Sequence, residues 1–366
     1  MRVGFDQQIF LLQEYGGISR YICCLAQHLM RLPDVDARIV APLHFNRHLS
    51  AIGDGLSSGF RIPRISKAFR PIALASRLLA NRSLACYQPD ILHESYFSAQ
   101  SFLPTGAKRV VTVYDMIHEK FSKTIEHSHL TSAPKRVATA RADHIVCISE
   151  NTKRDLVSLF NVPEEKISVT YLGHSDMPIS EALAGTSVRD SGLLLYVGRR
   201  GNYKNFDGVL RAYAQTPQLR DHTRIVCFGG GVFSAEEIQR IRSFGLNLQQ
   251  VRQVGGGDDV LALLYRQAMA MVYPSLYEGF GIPPLEAMAF DCPVICSNTS
   301  SIPEVVGDAG VYFNPSDCES IANAILAVAE SSSLRAKLVL GGQVQRQRFS
   351  WRKCAEDTLS IYRKLM

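Results

Sequence analysis

The 366-residue chain has a single tryptophan, and no apolar run approaches the roughly 20 residues that a membrane-spanning helix needs. The opening Met-Arg-Val-Gly-Phe-Asp lacks the apolar core of a secretory signal. The nine cysteines are odd in number and form no Cys-x2-Cys sets, which argues against a disulfide framework and a structural zinc site. Cys292 and Cys296 read instead as core, and the expected compartment is the reducing cytoplasm. Gly229-Gly230-Gly231 is not a G-x-G-x-x-G, so a dinucleotide fingerprint is missing. Asp34-Val35-Asp36 imitates a D-x-D metal motif but precedes a strand instead of following one. It reads as a solvated turn, and no metal is expected.

Acid is missing from one long stretch. Between Arg61 and Arg82 the cations Arg61, Arg64, Lys67, Arg70, Arg77 and Arg82 meet no Asp or Glu. Interleaved with Ile62, Ile65, Phe69, Ile72, Leu74, Leu78 and Leu79, they read as a basic amphipathic helix and its approach, suited either to an anionic membrane surface or to solvent. No aromatic-interleaved basic groove accompanies them, so a nucleic-acid partner is not expected.

What is present is an ordinary apolar fraction, 46%, distributed as short apolar runs alternating with helical periodicity. Strands are expected at Arg2–Phe5, Ala37–Ala41, Asp90–His93, Arg109–Tyr114, His144–Ile148 and Ile167–Tyr171. After a Gly/Ser/Pro/Asp-rich linker over 174–191 the pattern restarts, with strands at Leu193–Val197, Ile225–Phe228, Gln250–Val254, Ala270–Tyr273, Pro293–Cys296 and Val311–Phe313. A helix over Ser316–Glu330 is expected to open at a Ser316–Glu319 capping box. The length suits two cores, and the alternation predicts an α/β protein of two doubly wound Rossmann-like domains whose ligand crevices face each other across a cleft. The expected division is residues 1–175, 176–345 and a C-terminal helical segment, 346–366, packing back on the first domain.

The most informative stretch is 273–289, Tyr-Pro-Ser-Leu-Tyr-Glu-Gly-Phe-Gly-Ile-Pro-Pro-Leu-Glu-Ala-Met-Ala. An apolar strand precedes it, and a helix follows with Pro283 or Pro284 at its first position. Gly279-Phe280-Gly281 can bring backbone N–H groups against a ligand. A glycine loop feeding a helix N-terminus suits a phosphate or sugar oxyanion. Glu278 in the loop and Glu286, expected in the first helical turn, bracket it as acceptors for polyol hydroxyls.

Together with Ala287–Ser297 and Ser301–Gly310, this string resembles the E-x7-E region of family-4 glycosyltransferases, retaining enzymes of the GT-B fold that use nucleotide-sugar donors. The resemblance extends to Tyr196–Phe206, where Gly198, Arg199 and Lys204 are similar to the family's diphosphate-gripping "VGR…KN"; Arg200 is a rival for the arginine role. Gly16-Gly17-Ile18 resembles the N-terminal glycine loop over the donor phosphates. Ala142–Leu156 matches the family's "AD.I..vSe.tk.dL", with Ser149 as a helix cap facing the cleft. In Val110–Lys120 the family's usual histidine is Tyr114; Tyr114, Asp115 or His118 is expected to serve in its place or on the acceptor side, with His93 a weaker cleft residue.

The resemblance implies a retaining hexosyltransferase, mannose foremost, acting from a GDP- or UDP-linked sugar on a lipid-linked or glycan acceptor, without cofactor or metal. It is expected in surface polysaccharide or lipopolysaccharide synthesis, peripheral on the inner face of the cytoplasmic membrane. Arg199, Lys204 and Glu278 are the expected catalytic residues, with Gly16, Gly17, Gly198, Gly279, Phe280, Gly281, Ile282 and Glu286 on the donor. The rival readings are a non-catalytic sugar-nucleotide-binding module and a same-fold nucleotide-sugar epimerase.

Overall fold

Short Val/Ile/Leu-rich runs with helices between them form parallel strands throughout. The computed structural model describes residues 1–52, 55–63, 69–174 and 189–366. They divide into two units, Met1–Gly173 with Trp351–Met366, and His174–Ser350. Most of the expected linker, 175–188, lies outside the described residues, as do Arg64 and Lys67 of the basic stretch.

Unit 1 holds β1 (Arg2–Phe5), β2 (Asp36–His44), β3 (Ser57–Arg61), β4 (Ile91–Glu94), β5 (Lys108–Val113), β6 (His144–Cys147) and β7 (Ile167–Val169). They pair in the order β3-β2-β1-β4-β5-β6-β7, every pair parallel. The strand order reverses between β1 and β4, which makes that junction the topological switch point. Unit 2 holds β8 (Asp190–Val197), β9 (Arg224–Phe228), β10 (Val251–Val254), β11 (Ala268–Tyr273), β12 (Val294–Ser297) and β13 (Gly310–Phe313), in the order β10-β9-β8-β11-β12-β13. Its switch point lies between β8 and β11. All six residues of β11 are buried, as an apolar strand covered on both faces requires.

One local expectation is corrected. The helix expected over Ser316–Glu330 is Cys318–Glu330, and its cap is Asp317, whose carboxylate accepts from the backbone N–H groups of Glu319 and Ser320; Asn314 turns Ser316 away by accepting its N–H. The helix Glu150–Phe160 ends on Asn161, left-handed at φ 56°, before Pro163 is reached. The edge strand β3 carries no apolar alternation, because four of its five residues are exposed, and so it gave no periodic signal.

The C-terminal helix Trp351–Leu365 belongs to unit 1. Trp351 lies against Tyr21, and Tyr362 reaches the sheet, its hydroxyl 2.5 Å from His93 Nδ1. His93 Nε2 meets Thr112 Oγ1 at 2.7 Å. His93 is therefore a fully buried link between helix and sheet and not a residue lining a cleft; burial pushes its imidazole down to about 3.

Candidate active site

At the switch point of unit 2, β8 runs into Gly198, whose φ of 136° an L side chain rarely adopts. Its N–H donates to Phe228 O at 2.9 Å, and the Tyr196 hydroxyl donates to Arg199 O at 2.6 Å, fixing the loop that follows. Arg199 is exposed. The loop closes through a 3-10 turn, Asn202–Lys204, into the helix Phe206–Gln215. The intervening Asn205 is left-handed, and its amide donates to Pro274 O and Pro315 O at 3.2 and 2.8 Å. Leu276 N–H donates to Tyr203 O at 2.7 Å. The loops after β8 and β11 are thus sewn together, and Lys204 Nζ donates to Glu278 Oε1 at 2.7 Å.

Glu278 is 7% exposed. The same Oε1 accepts from Ser275 Oγ at 2.5 Å, and the Tyr273 phenol also hydrogen-bonds this carboxylate. Burial, and then the Glu278 charge, hold that phenol well above its usual range. Glu278 N–H donates to Ser300 Oγ at 2.9 Å, and Ser301 Oγ donates to the carbonyls of Glu278 and Phe280 at 2.9 and 2.8 Å. Ser300 has φ 54°, left-handed for a non-glycine residue. These hydroxyls from the end of β12 hold the Glu278–Gly281 loop in one shape. Gly279 and Phe280 are buried, and Phe280 meets Phe349 edge-on at 5.8 Å.

Gly281, at φ 118°, starts the helix Ile282–Ala289. Ile282 is its first residue, so the prolines occupy the second and third positions and Glu286 the fifth. This corrects the expected first-turn placement of Glu286. The left-handed Gly281 lets the helix begin one residue before the prolines, which pushes Glu286 into the second turn. Its carboxylate is 6% exposed and accepts from the Tyr265 hydroxyl at 3.3 Å. Burial, then the Glu286 charge, raise that phenol well above its ordinary value.

Arg200 is corrected as a rival for the arginine role. Its guanidinium is committed to Glu237 at 2.8 and 3.1 Å and to the carbonyls of Gly229 and Gly231 at 2.6 and 2.9 Å. Glu237 in turn completes a capping box with Ser234, and the Arg200 contact holds its carboxyl below the usual range. The triple glycine, left-handed throughout, wraps the Arg200 head.

In unit 1 the expected residues are dispersed. Gly16 caps the helix Gly17–Leu29, and a side chain at Gly17 would meet open space. The first-turn amide of Ser19 is taken by Gln13 Oε1 at 3.2 Å. Tyr114 is buried, its hydroxyl donating to Ser95 O at 3.0 Å. Asp115 accepts from Ile117 N–H at 3.0 Å as a local turn, and the half-buried His118 leaves Nδ1 without a hydrogen-bond partner. Ser149 is fully buried and caps Glu150–Phe160 through Thr152 N–H. Asp34 lies in a left-handed turn at φ 62°, and Asp36 opens β2 beside Arg38.

Sequence reasoning passed over Tyr273, Ser275, Ser300 and Ser301, and in unit 1 Asp6. Asp6 and Ser95 directly follow β1 and β4, and that position at the carboxyl edge of a switch point was the available signal. The serines carried none, since their roles arise from loop contacts across β11 and β12.

Residues 15–175 match the family model described as Glycosyltransferase Family 4, and residues 184–343 the model described as Glycosyl transferases group 1. The chain is 32% identical over 312 residues, 80% of each sequence, to O-antigen chain mannosyltransferase B of Escherichia coli. It is 25% identical to O-antigen chain mannosyltransferase RfbU of Salmonella typhimurium, over 84% of this chain and 86% of that one. Among solved structures it is similar to the sucrose-phosphate synthase of Thermosynechococcus elongatus, with a TM-score of 0.77 at 21% identity over 100% of this chain and 98% of that one.

Proposed function

The chain belongs to glycosyltransferase family 4, and on that premise we propose that it transfers mannose, with retention, from a nucleoside-diphosphate sugar to a glycan or lipid-linked acceptor. Mannose is taken from the relatives named as O-antigen chain mannosyltransferases, and GDP is the first choice of nucleotide, UDP the second. The single observation that carries the reading is the meeting of the β8 and β11 loops at the switch point of unit 2, with Lys204 against Glu278 and the glycine-led Ile282–Ala289 helix beside them.

Such a junction is where open parallel sheets take their ligands. A departing diphosphate needs positive charge fixed in place before the bond breaks. Exposed Arg199 supplies one charge. Lys204, held beside Glu278, supplies a second. Glu286 accepts from the ribose hydroxyls, and Glu278 with the Gly279–Gly281 backbone contacts the sugar. In the front-face displacement, the bond from the anomeric carbon to the diphosphate oxygen breaks while the acceptor oxygen bonds to that carbon on the same side. The acceptor proton passes to the leaving diphosphate. Two fixed cations make a divalent ion dispensable in this scheme.

A second part of the reading places the enzyme on an anionic bilayer at the inner face of the cytoplasmic membrane. No helix among the described residues is long and apolar enough to cross a membrane. The helix Phe69–Tyr87 buries Ser76, Ala80 and Leu84 and leaves Leu74, Leu78 and Leu79 exposed among Arg70, Arg77 and Arg82, a pattern suited to lying on a charged surface.

The test of the transfer reading is a panel of GDP- and UDP-sugars assayed for donor hydrolysis and thermal stabilisation. GDP-mannose is expected to give the largest response. A protein stabilised by none of them is not a nucleotide-sugar enzyme.

A further inference from the structure

The switch point of unit 1 carries a second cluster of polar chemistry that the donor site does not use. Asp6, directly after β1, is 5% exposed. Its Oδ1 accepts from Ser95 N–H at 3.0 Å and Ser95 Oγ at 2.5 Å, and its Oδ2 from Gln8 Nε2 at 2.5 Å. Glu94, the last residue of β4, already has Arg109 and Arg141 as partners at 3.3 and 2.8 Å. Among the described residues Asp6 makes no ion pair, although it feels the Arg109 charge, and burial followed by the Glu94 charge raises its carboxyl to about 6. A buried carboxyl held by neutral donors and no ion pair costs stability, so its place at a ligand-binding edge calls for an account.

Asp6 lines a small cavity of about 50 Å³ with Gln8, Arg77, Asn81, Ser98 and Gln100, room for a few water-sized groups. The wall is braced: Ser98 Oγ donates to Gln100 O at 2.6 Å, and Arg77 Nη1 reaches Gln100 Oε1 at 3.5 Å. Amide side chains offer donors and acceptors together, and a sugar hydroxyl is both donor and acceptor. Amides, a hydroxyl and one carboxyl, with the Arg77 guanidinium turned to Gln100, match the hydroxyl edge of a carbohydrate better than a phosphate, which the carboxyl would repel.

We propose that the Asp6 cavity is a carbohydrate subsite that holds a hydroxyl or hydroxymethyl group of the acceptor glycan, with Asn81 and Gln100 as its adaptable walls. This rests on the reading of the chain as a glycosyltransferase with a glycan acceptor, and names where in unit 1 that acceptor is held.

The experiment is saturation-transfer NMR on the full chain with three probes, methyl α-mannoside, methyl α-galactoside and methyl N-acetyl-β-glucosaminide, alongside calorimetric titration of GDP and UDP. At least one glycoside is expected to bind the wild type. Its affinity should fall about tenfold in Asn81→Ala/Gln100→Ala, as the loss of one or two neutral hydrogen bonds implies, and persist in Glu278→Gln, which alters the donor side. The single variants Asn81→Ala and Gln100→Ala keep the test readable if the double variant fails to fold. Undiminished binding in the folded variants, loss in Glu278→Gln alone, or no glycoside binding to a wild type that takes GDP or UDP overturns the subsite. Failure of every nucleotide and nucleotide sugar to bind overturns the function instead, whatever the glycosides do.

Discussion

Lys204 Nζ lies 2.7 Å from Glu278 Oε1, across 74 residues of sequence. The pair ties the cation expected on the diphosphate to the carboxylate expected on the sugar, so the two ends of the breaking bond are read by one linked unit. A diphosphate arriving at Lys204 meets an ammonium that is already oriented. Ser275 and Tyr273 hold Glu278 in position.

The two arginines of the β8 loop should separate cleanly. Arg199→Ala and Lys204→Ala each remove a charge-assisted contact worth roughly 1.5–3 kcal/mol, so kcat/KM should fall about ten- to a hundredfold, with the melting temperature little changed in Arg199→Ala and lowered in Lys204→Ala, which leaves the buried Glu278 without its ion pair. Arg200→Ala should instead lower the melting temperature by several degrees, because it strips Glu237 and the Gly229 and Gly231 carbonyls of the donor that the buried Arg200 provides. Steady-state kinetics beside thermal unfolding decides it, and an Arg200→Ala protein of unchanged stability would sink the structural role.

The glutamates should divide binding from turnover. Glu286→Gln is expected to weaken nucleotide binding and to erase most of the preference for a ribose over a 2′-deoxyribose donor. Glu278→Gln is expected to bind free nucleoside diphosphate with near-normal affinity and turn over slowly, since hydrogen bonds that strengthen as the glycosidic bond breaks act on kcat. Titration calorimetry with GDP and 2′-deoxy-GDP, set against kcat, reads both. Equal loss of nucleotide affinity in the two variants contradicts the division.

Activity is expected to survive EDTA, because Arg199 and Lys204 supply the charge that a divalent ion would otherwise bring. A strict Mg²⁺ or Mn²⁺ requirement in single-turnover transfer would falsify this account of the leaving group.

Asp6 should leave a signature in stability against pH. Its folded value, about 6, lies above the ordinary 3.8, so the native state holds the proton more tightly than the unfolded chain. Its contribution is therefore fully favourable below about pH 4, declines as pH rises toward 6 and stays low above that, a swing of about 2–3 kcal/mol at most. Asp6→Asn, which keeps the shape and removes the charge, should be more stable than wild type at pH 8, the gap closing by pH 4. A gap independent of pH rules out burial of the charge as its cause.

Helix Phe69–Tyr87 is expected to bring the protein down with vesicles containing anionic lipid at low salt and to release it at high salt, each basic residue contributing about 1 kcal/mol. Arg64, Lys67 and Arg70 changed together to Glu should abolish sedimentation. Indifference of the wild type to such vesicles at low salt makes the segment a solvated face and favours a soluble acceptor.

Much of the architecture was legible before any coordinates. Apolar runs such as Leu193–Val197 and Ala270–Tyr273 can only be strands buried on both faces, and strands of that kind separated by helices require parallel sheets. Asp291 adopts the left-handed φ of 56° that its short side chain tolerates. The tertiary structure alone decided which neighbour of a motif does what. Arg199 and Arg200 are indistinguishable as letters, yet alternation at the end of β8 leaves one exposed and turns the other into the ring of glycine carbonyls at Gly229–Gly231. Glu278 and Lys204 are far apart in the chain, and only parallel pairing of β8 with β11 brings their loops together. Asp6 carried only its place after a strand as a signal and none of its partners, because its environment comes from Ser95, 89 residues away in the chain at the end of β4, which pairs with β1. Local sequence sets strands and caps through backbone preference and periodicity; partners contributed by distant segments depend on strand order, which no single stretch encodes.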